Sequence, residues 1–176
     1  MPPSALHLLQ IEGGNALSAF RVRALLALLR SSCPRIAAVA ARHVHWAAFD
    51  AAPKPGQLDK LHALLAYGGP YPGPIGPIGT TGTTGSARAT ESELVVVLPR
   101  LGTVSPWASK ASDIARNCGL EVHRIERVTE YRLTLKSGLF GVVEPLTAEE
   151  RGAMAYTDES TSKVKWSNLN WLNIQL

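Results

Sequence analysis

The chain has 176 residues, 45% hydrophobic and 18% charged, enough for one ordinary domain with its own core. Its apolar stretches fall short of the roughly 20 residues of a membrane span, and eighteen basic against fourteen acidic residues leave +4, too little to imply nucleic-acid binding. Two cysteines, Cys33 and Cys118, and a start, Met1-Pro2-Pro3-Ser4, without the build of a secretory signal point to a reducing, cytoplasmic setting.

Residues 5–12, ALHLLQIE, read as a strand closed by a turn at Gly13-Gly14. A helix over 16–31 follows, capped by Asn15 or Ser18. Its broad apolar face is Ala16, Leu17, Phe20, Leu25, Leu28 and Leu29, with Arg21, Arg23 and Arg30 pointing outward, and Pro34 ends it. Residues 35–49 carry Val39, Val44, Trp46 and Phe49 and are predicted as a long strand, with a helix as the competitor because of the alanines. Gly56–Tyr67 is predicted as a helix with Leu58, Leu61, Leu64 and Leu65 on one side, stopping at Gly68-Gly69.

The composition changes over 69–92, a Gly/Pro/Thr-rich stretch predicted to be a disordered loop. Gly73, Gly76, Gly79, Gly82 and Gly85 keep a period of three, but five triplets without sustained proline do not make a collagen helix. The tract also lacks the Gly-Lys-Ser/Thr ending of a phosphate-cradling loop. Residues 93–98, ELVVVL, suit a central strand covered on both faces. Ser105-Pro106 then starts a helix that Gly119 stops, with Ala108, Ala111, Ile114, Ala115 and Cys118 on one face. Residues 121–136 alternate as a strand, with Val122, Arg124, Glu126 and Val128 opposite His123, Ile125 and Arg127. Both faces are mixed, so one is expected to meet a partner.

The layout repeats. Strand 5–12, helix 16–31 and strand 36–49 are matched by strand 93–98, helix 106–118 and strand 121–136. Ser18 to His45 spans 27 residues and Ser105 to Tyr131 spans 26. The spacing predicts an α/β fold of the α+β type: two duplicated β-α-β halves sharing one sheet, with helices on one face.

Few residues suggest chemistry. His43 and His45 face one way on a strand as metal ligands do, but no third or fourth ligand is evident. Cys118 with His123 would make a nucleophile and base, yet its place on an apolar helix face favours a buried structural thiol. Lys110 and Asp113 near a helix start are read as a surface ion pair ahead of an anion site, and Trp107 as a packing residue ahead of a ligand platform. Glu126 and Arg127 are expected to form a solvated or interfacial strand pair.

The segment 99–128 is far more specific. Pro99-Arg100, Gly102-Thr103, Ser105-Pro106-Trp107, Ser109-Lys110-Ala111, Asp113-Ile114-Ala115, Asn117-Cys118-Gly119-Leu120, Arg124 and Glu126-Arg127 strongly resemble the N-terminal domain of the large, multidomain phosphoribosylformylglycinamidine synthases. Ala16–Arg21 and the strand ending His45-Trp46-Ala47 are similar to the same domain. The likeness covers about residues 5–154, leaving out the glycine insertion. The resemblance implies a PurS-like domain, akin to two fused copies of the small PurS subunit with a mainly antiparallel sheet, spanning 1–154.

The family enzyme uses ATP and Mg²⁺ to activate the amide oxygen of formylglycinamide ribonucleotide as an iminophosphate. Ammonia from a glutaminase domain displaces the phosphate, giving the amidine. That machinery belongs to other domains, so the resemblance implies no catalytic, cofactor-binding or metal residue in this chain. It implies the synthetase and glutaminase domains as partners, met by Ser105, Trp107, Lys110, Asp113, Glu126 and Arg127. Thr147 and Glu150 form a capping box at the last family-like helix. From Tyr156 onward the likeness ends, and 155–176 is expected to be an atypical, disordered tail, the mark of a truncated or aberrantly spliced product. The alternatives are a non-catalytic scaffold or regulatory module on the same fold, and an RNA-binding α/β module, which the lack of stacking aromatics on its strands disfavours.

Overall fold

The computed structural model describes residues 6–73, 92–99, 103–136 and 143–156. Most of the glycine-rich stretch, Arg100, Gly102 and the tail beyond Tyr156 therefore lie outside the described residues. In chain order the elements are β1 (His7–Asn15), α1 (Ala19–Ser32), β2 (Ile36–Phe49), α2 (Pro55–Leu65), β3 (Ser92–Val97), α3 (Pro106–Asn117), β4 (Val122–Leu135) and α4 (Ala148–Tyr156). The strands form one four-stranded antiparallel sheet in the order β1-β2-β4-β3. The expected mixed class and antiparallel pairing are the observed ones.

The sequence halves are not the packing units. One compact unit gathers β1, β2 from Arg42 onward, α2, α3 and β4 as far as Thr129. The other gathers α1, β2 up to Ala41, β3, β4 from Glu130 and α4. Each 14-residue strand, β2 and β4, thus supplies residues to both units. The run ELVVVL is an edge strand, not a central one, and only Val96 in it is buried. A continuous apolar run records that both faces are partly covered, and carries no information about how many strands flank it.

The duplication is legible in atoms. Ser18 caps α1 by accepting from the Arg21 amide, and Ser105 caps α3 by accepting from Ala108. Arg30, in the last turn of α1, donates to the carbonyls of Ile36 and Ala37 at 2.9 and 2.6 Å. Arg116, in the last turn of α3, donates to Val122 and His123 in the same way. A charged fork so placed also favours the negative helix end. At α2 the Lys54 amide donates to Gln57 Oε1, and at α4 the Thr147 amide donates to Glu150 Oε2. The capping box expected at Thr147 and Glu150 is thus complete, since Thr147 Oγ1 accepts from the Glu150 amide.

In the first unit, Ile11, Ala47, Phe49, Leu61, Leu65, Ala115, Leu120, Val122 and Ile125 form the apolar core. α2 buries Leu61 and Leu65 as its pattern predicts. Gly68 and Gly119, at φ +84° and +78°, follow α2 and α3 in the left-handed conformation that glycine adopts without strain. The apolar face of α3 needs correction. Ala108, Ser112 and Ala115 are buried, whereas Ile114 is 47% exposed and Cys118 is exposed at the helix end. Ser112 enters the core because its hydroxyl donates to the Ala108 carbonyl at 2.7 Å and accepts from the Ile125 amide at 2.9 Å. α3 is thereby pinned to β4, turning Cys118 toward solvent.

In the second unit, α1 buries only Leu29 fully, and Phe20 and Leu28 are exposed at 72% and 41%. Their predicted place in the core fails because the inward stripe runs Val22, Leu25, Leu26 and Leu29, at helical spacing. Cys33 is the buried thiol. Nor does β4 alternate cleanly, since Val122, Ile125 and Val128 are all buried.

Removing the Ser112 hydroxyl leaves the buried Ile125 amide without its acceptor. Ser112→Ala is expected to lower the unfolding free energy by about 1–3 kcal/mol, read from the urea midpoint at unchanged slope. Ser109→Ala, at an exposed position of the same helix, changes it by less than about 0.5 kcal/mol.

Candidate functional site

The first unit brings together residues that the sequence leaves scattered. β1 and β2 pair with Ile11 opposite His45, and the register shifts between Glu12 and Asn15. Gly13-Gly14 is therefore an irregularity inside β1, not the turn that ends it. It makes space: a Cβ on Gly13 would stand 2.6 Å from His45 Cε1 and 2.9 Å from the His43 carbonyl oxygen. One on Gly14 would stand 2.5 Å from the Tyr67 carbonyl oxygen. The Asn15 amide donates to the Gly69 carbonyl at 2.8 Å, tying the segment after α2 to β1.

His45 fills that space, fully buried. Its Nε2 lies 2.7 Å from the Tyr67 hydroxyl, and its ring stacks on Trp107 at a centroid distance of 5.5 Å. Arg127 donates to the same Tyr67 hydroxyl at 3.2 Å and sits over the Trp107 ring at 4.6 Å. Burial first, then the positive charge of nearby His43 and Arg127, push His45 down to about 4, against a small opposing effect of the Ile11 backbone. The imidazole is therefore neutral at pH 7 and serves as a hydrogen-bonding wedge. His43, half-buried, is also held below its usual range by burial and by Arg127, and its Nδ1 lies 3.5 Å from Thr129 Oγ1. The two histidines share a strand and both lie beside the Tyr67 ring, and no cluster of three or more His, Cys, Asp or Glu side chains able to hold a metal occurs among the described residues.

Beside this cluster lies an apolar groove of about 250 Å³. Its walls are Leu64, Leu65 and Tyr67 from α2 and its exit, and Trp107, Lys110, Ala111 and Ile114 from α3.

The predicted interface residues divide by task. Trp107 and Lys110 line the groove, and Arg127 braces its aromatic wall. Ser105 and Glu126 face one another: the Ser105 hydroxyl donates to Glu126 Oε1 at 2.9 Å, and Arg124 and the Arg127 amide also donate to that carboxylate. Glu126 thus accepts from the Arg127 amide, while the Arg127 guanidinium goes to Tyr67 and the Trp107 ring. Asp113 pairs with Arg116 at 3.1 Å, one turn on, and not with Lys110. Tyr67 and Gly13 were invisible as site residues, since one precedes a helix-stop glycine and the other resembles turn punctuation.

In the second unit Glu150 collects Arg35 through both carboxylate oxygens, at 2.9 and 2.7 Å, and the Cys33 thiol at 3.4 Å. Arg35 also donates to the carbonyls of Glu144 and Pro145. The Arg35 guanidinium, aided by the Thr147 amide, holds Glu150 down to about 2, and burial followed by the Glu150 contact raises Cys33. Glu93 of β3 accepts from the Leu146 amide at 2.9 Å and from Arg151 at 3.1 Å. These contacts anchor α4 and the segment before it.

A family model described as formylglycinamide ribonucleotide amidotransferase N-terminal matches residues 42–164. The chain belongs to this family. The match takes in every element from the second half of β2 to α4, including the groove residues, and runs past Tyr156. No described helix of this amidotransferase N-terminal domain is long and apolar enough to cross a membrane.

Two predictions follow from the wedge. Gly13→Ala forces the His45 ring and the β2 backbone apart and is expected to cost about 1–3 kcal/mol, whereas Gly56→Ala, with nothing within 4 Å, is neutral or stabilising by up to about 1 kcal/mol; urea unfolding of both variants checks this. Protons supply the second. The unfolded chain protonates His45 near pH 6.5 and the folded chain only near 4, so stability falls as pH drops through that window, by on the order of 3 kcal/mol. In His45→Gln most of that loss disappears, leaving the smaller share of His43. The fall below pH 4.5, where Glu150 becomes protonated in the unfolded chain before the folded one, persists. Urea midpoints from pH 3 to 8 read both limbs.

Proposed function

We propose that this chain acts as the N-terminal packing domain of phosphoribosylformylglycinamidine synthase in cytoplasmic purine biosynthesis, organising the domains between which ammonia passes and performing no bond-breaking step itself. The observation that carries the reading is the family match over residues 42–164. The chemistry of the first unit agrees with it. His45 is neutral, fully buried and bound to Tyr67, and Glu126 is committed to Ser105 and Arg124. These groups hold α2 and α3 against the strands, so what the unit offers outward is shape and charge.

In this reading ATP and Mg²⁺ are bound by the synthetase domain, where the amide oxygen of formylglycinamide ribonucleotide is phosphorylated. Ammonia is released from glutamine in the glutaminase domain and displaces that phosphate. The chain's part is to hold the two domains in register.

The purified chain is expected to show neither glutaminase turnover nor ATP-dependent amidine formation. Added to a family synthase produced without its own N-terminal domain, it is expected to bind and to raise glutamine-dependent turnover toward that of the complete enzyme. Turnover by the chain alone overturns the reading. So does exclusive self-association with no binding to the truncated synthase, the behaviour of an independent scaffold.

A further inference from the structure

The outer side of α1 is an exposed apolar stripe. Phe20, Ala24, Ala27 and Leu28 follow one another at helical spacing and are all exposed, Phe20 and Leu28 by 72% and 41%. With Val22, Leu25, Leu26 and Leu29 facing inward, the helix is apolar on two sides, whereas a surface helix ordinarily turns polar residues to water on its outer side. Arg21 borders the stripe along one edge and Arg23 and Arg30 along the other.

The chain carries a segment that suits this stripe. α4 packs on α1, its Glu150 meeting the Cys33 thiol just past the end of α1, and α4 ends at Tyr156. Beyond the described residues, the run 166–176, WSNLNWLNIQL, holds Trp166, Leu169, Trp171, Leu172, Ile174 and Leu176 and no charged residue. Segments that stay in water have the opposite composition, few aromatic and branched side chains and high charge. Reach is ample. The ten residues from Thr157 to Trp166 span up to about 33–36 Å when extended, against about 21 Å for the 14 residues of α1. Tethered so closely, the run stands at the stripe at an effective concentration on the order of 1 mM.

Charge decides between this segment and a second copy of the chain. Two copies meeting stripe to stripe bring their rows of Arg21, Arg23 and Arg30 together, and like charges so placed repel. The uncharged run meets the same arginines without that cost. On the way to it, Asp158 and Glu159 are offset by Lys163 and Lys165, so removal of apolar surface from water carries the contact.

We infer that residues 166–176 lie along the outer side of α1 and cover Phe20 and Leu28, closing the second unit with a segment of its own chain. This is independent of the packing role proposed above.

Hydrogen exchange read by mass spectrometry on the full chain tests it, with a synthetic peptide of sequence 166–176 as the reference. The amides of 166–176 are expected to exchange about tenfold or more slowly in the chain than in the peptide. The double variant Phe20→Ser/Leu28→Ser brings them back to the peptide rate, and Lys60→Ser, exposed on α2, leaves the protection in place. Unchanged exchange of the β4 amides shows that the variants keep the fold. Protection is also expected to persist as salt rises from about 0.05 to 0.5 M and to be the same over about a hundredfold range of chain concentration.

Peptide-like exchange of 166–176 in the wild-type chain overturns the inference. So does protection that survives in Phe20→Ser/Leu28→Ser, which places the run elsewhere, and protection lost at raised salt, which makes the contact ionic. Protection that grows with chain concentration means that the run belongs on a second copy, and the inference is wrong.

Discussion

The hydrogen bond between His45 Nε2 and the Tyr67 hydroxyl is the constraint around which the first unit is arranged. A buried imidazole without a partner costs several kcal/mol in an apolar interior, so the ring must find its hydroxyl, and the segment after α2 must bring Tyr67 to it. Gly13 makes room for the ring, and Gly14 lets the chain around Tyr67 approach β1. The position of Tyr67 fixes one wall of the groove. The stacking of Trp107 on His45 fixes the other. A polar contact between a buried ring and a half-exposed one thus decides the shape of the surface beside it.

The second unit meets the same need for order with ion pairs. Glu150 and Glu93 between them gather Arg35, Arg151 and backbone groups around the start of α4. These carboxylates are partly exposed, so their value is chiefly geometric: a bidentate guanidinium fixes direction in a way that an exposed single contact does not. The two units descend from one pattern, as their arginine forks and caps show, yet one closes around a neutral wedge and the other around a charged clasp.

Local chemistry was the legible part of this sequence. Ser18, Ser105, Gly68, Gly119 and the Thr147–Glu150 box act through neighbours a few residues away, and all are where their residue types predict. The spacing from Ser18 to His45 and from Ser105 to Tyr131 likewise exposed the repeat. What failed were inferences about facing. Phe20 and Leu28 have core chemistry but lie on the outer side of α1, and Ser112 has surface chemistry but lies inside. Which side of a helix turns inward depends on elements distant in sequence, here the Ile125 amide, which donates to the Ser112 hydroxyl. Lys110 and Trp107 were singled out for their motif. Tyr67, which makes the groove with them, carried no motif at all.

The sharing of β2 and β4 between units has a consequence for synthesis. Neither unit is complete in the first half of the chain, because the first needs α3 and β4 up to Thr129 and the second needs β3, α4 and the rest of β4. A nascent chain that has emerged only as far as α2 exposes Ala47, Phe49, Leu61 and Leu65, whose cover is supplied by Ala115, Leu120 and Ile125. Such long-separation contacts make folding slow. The chain is therefore most exposed to aggregation and chaperone capture on the ribosome, before its second half arrives.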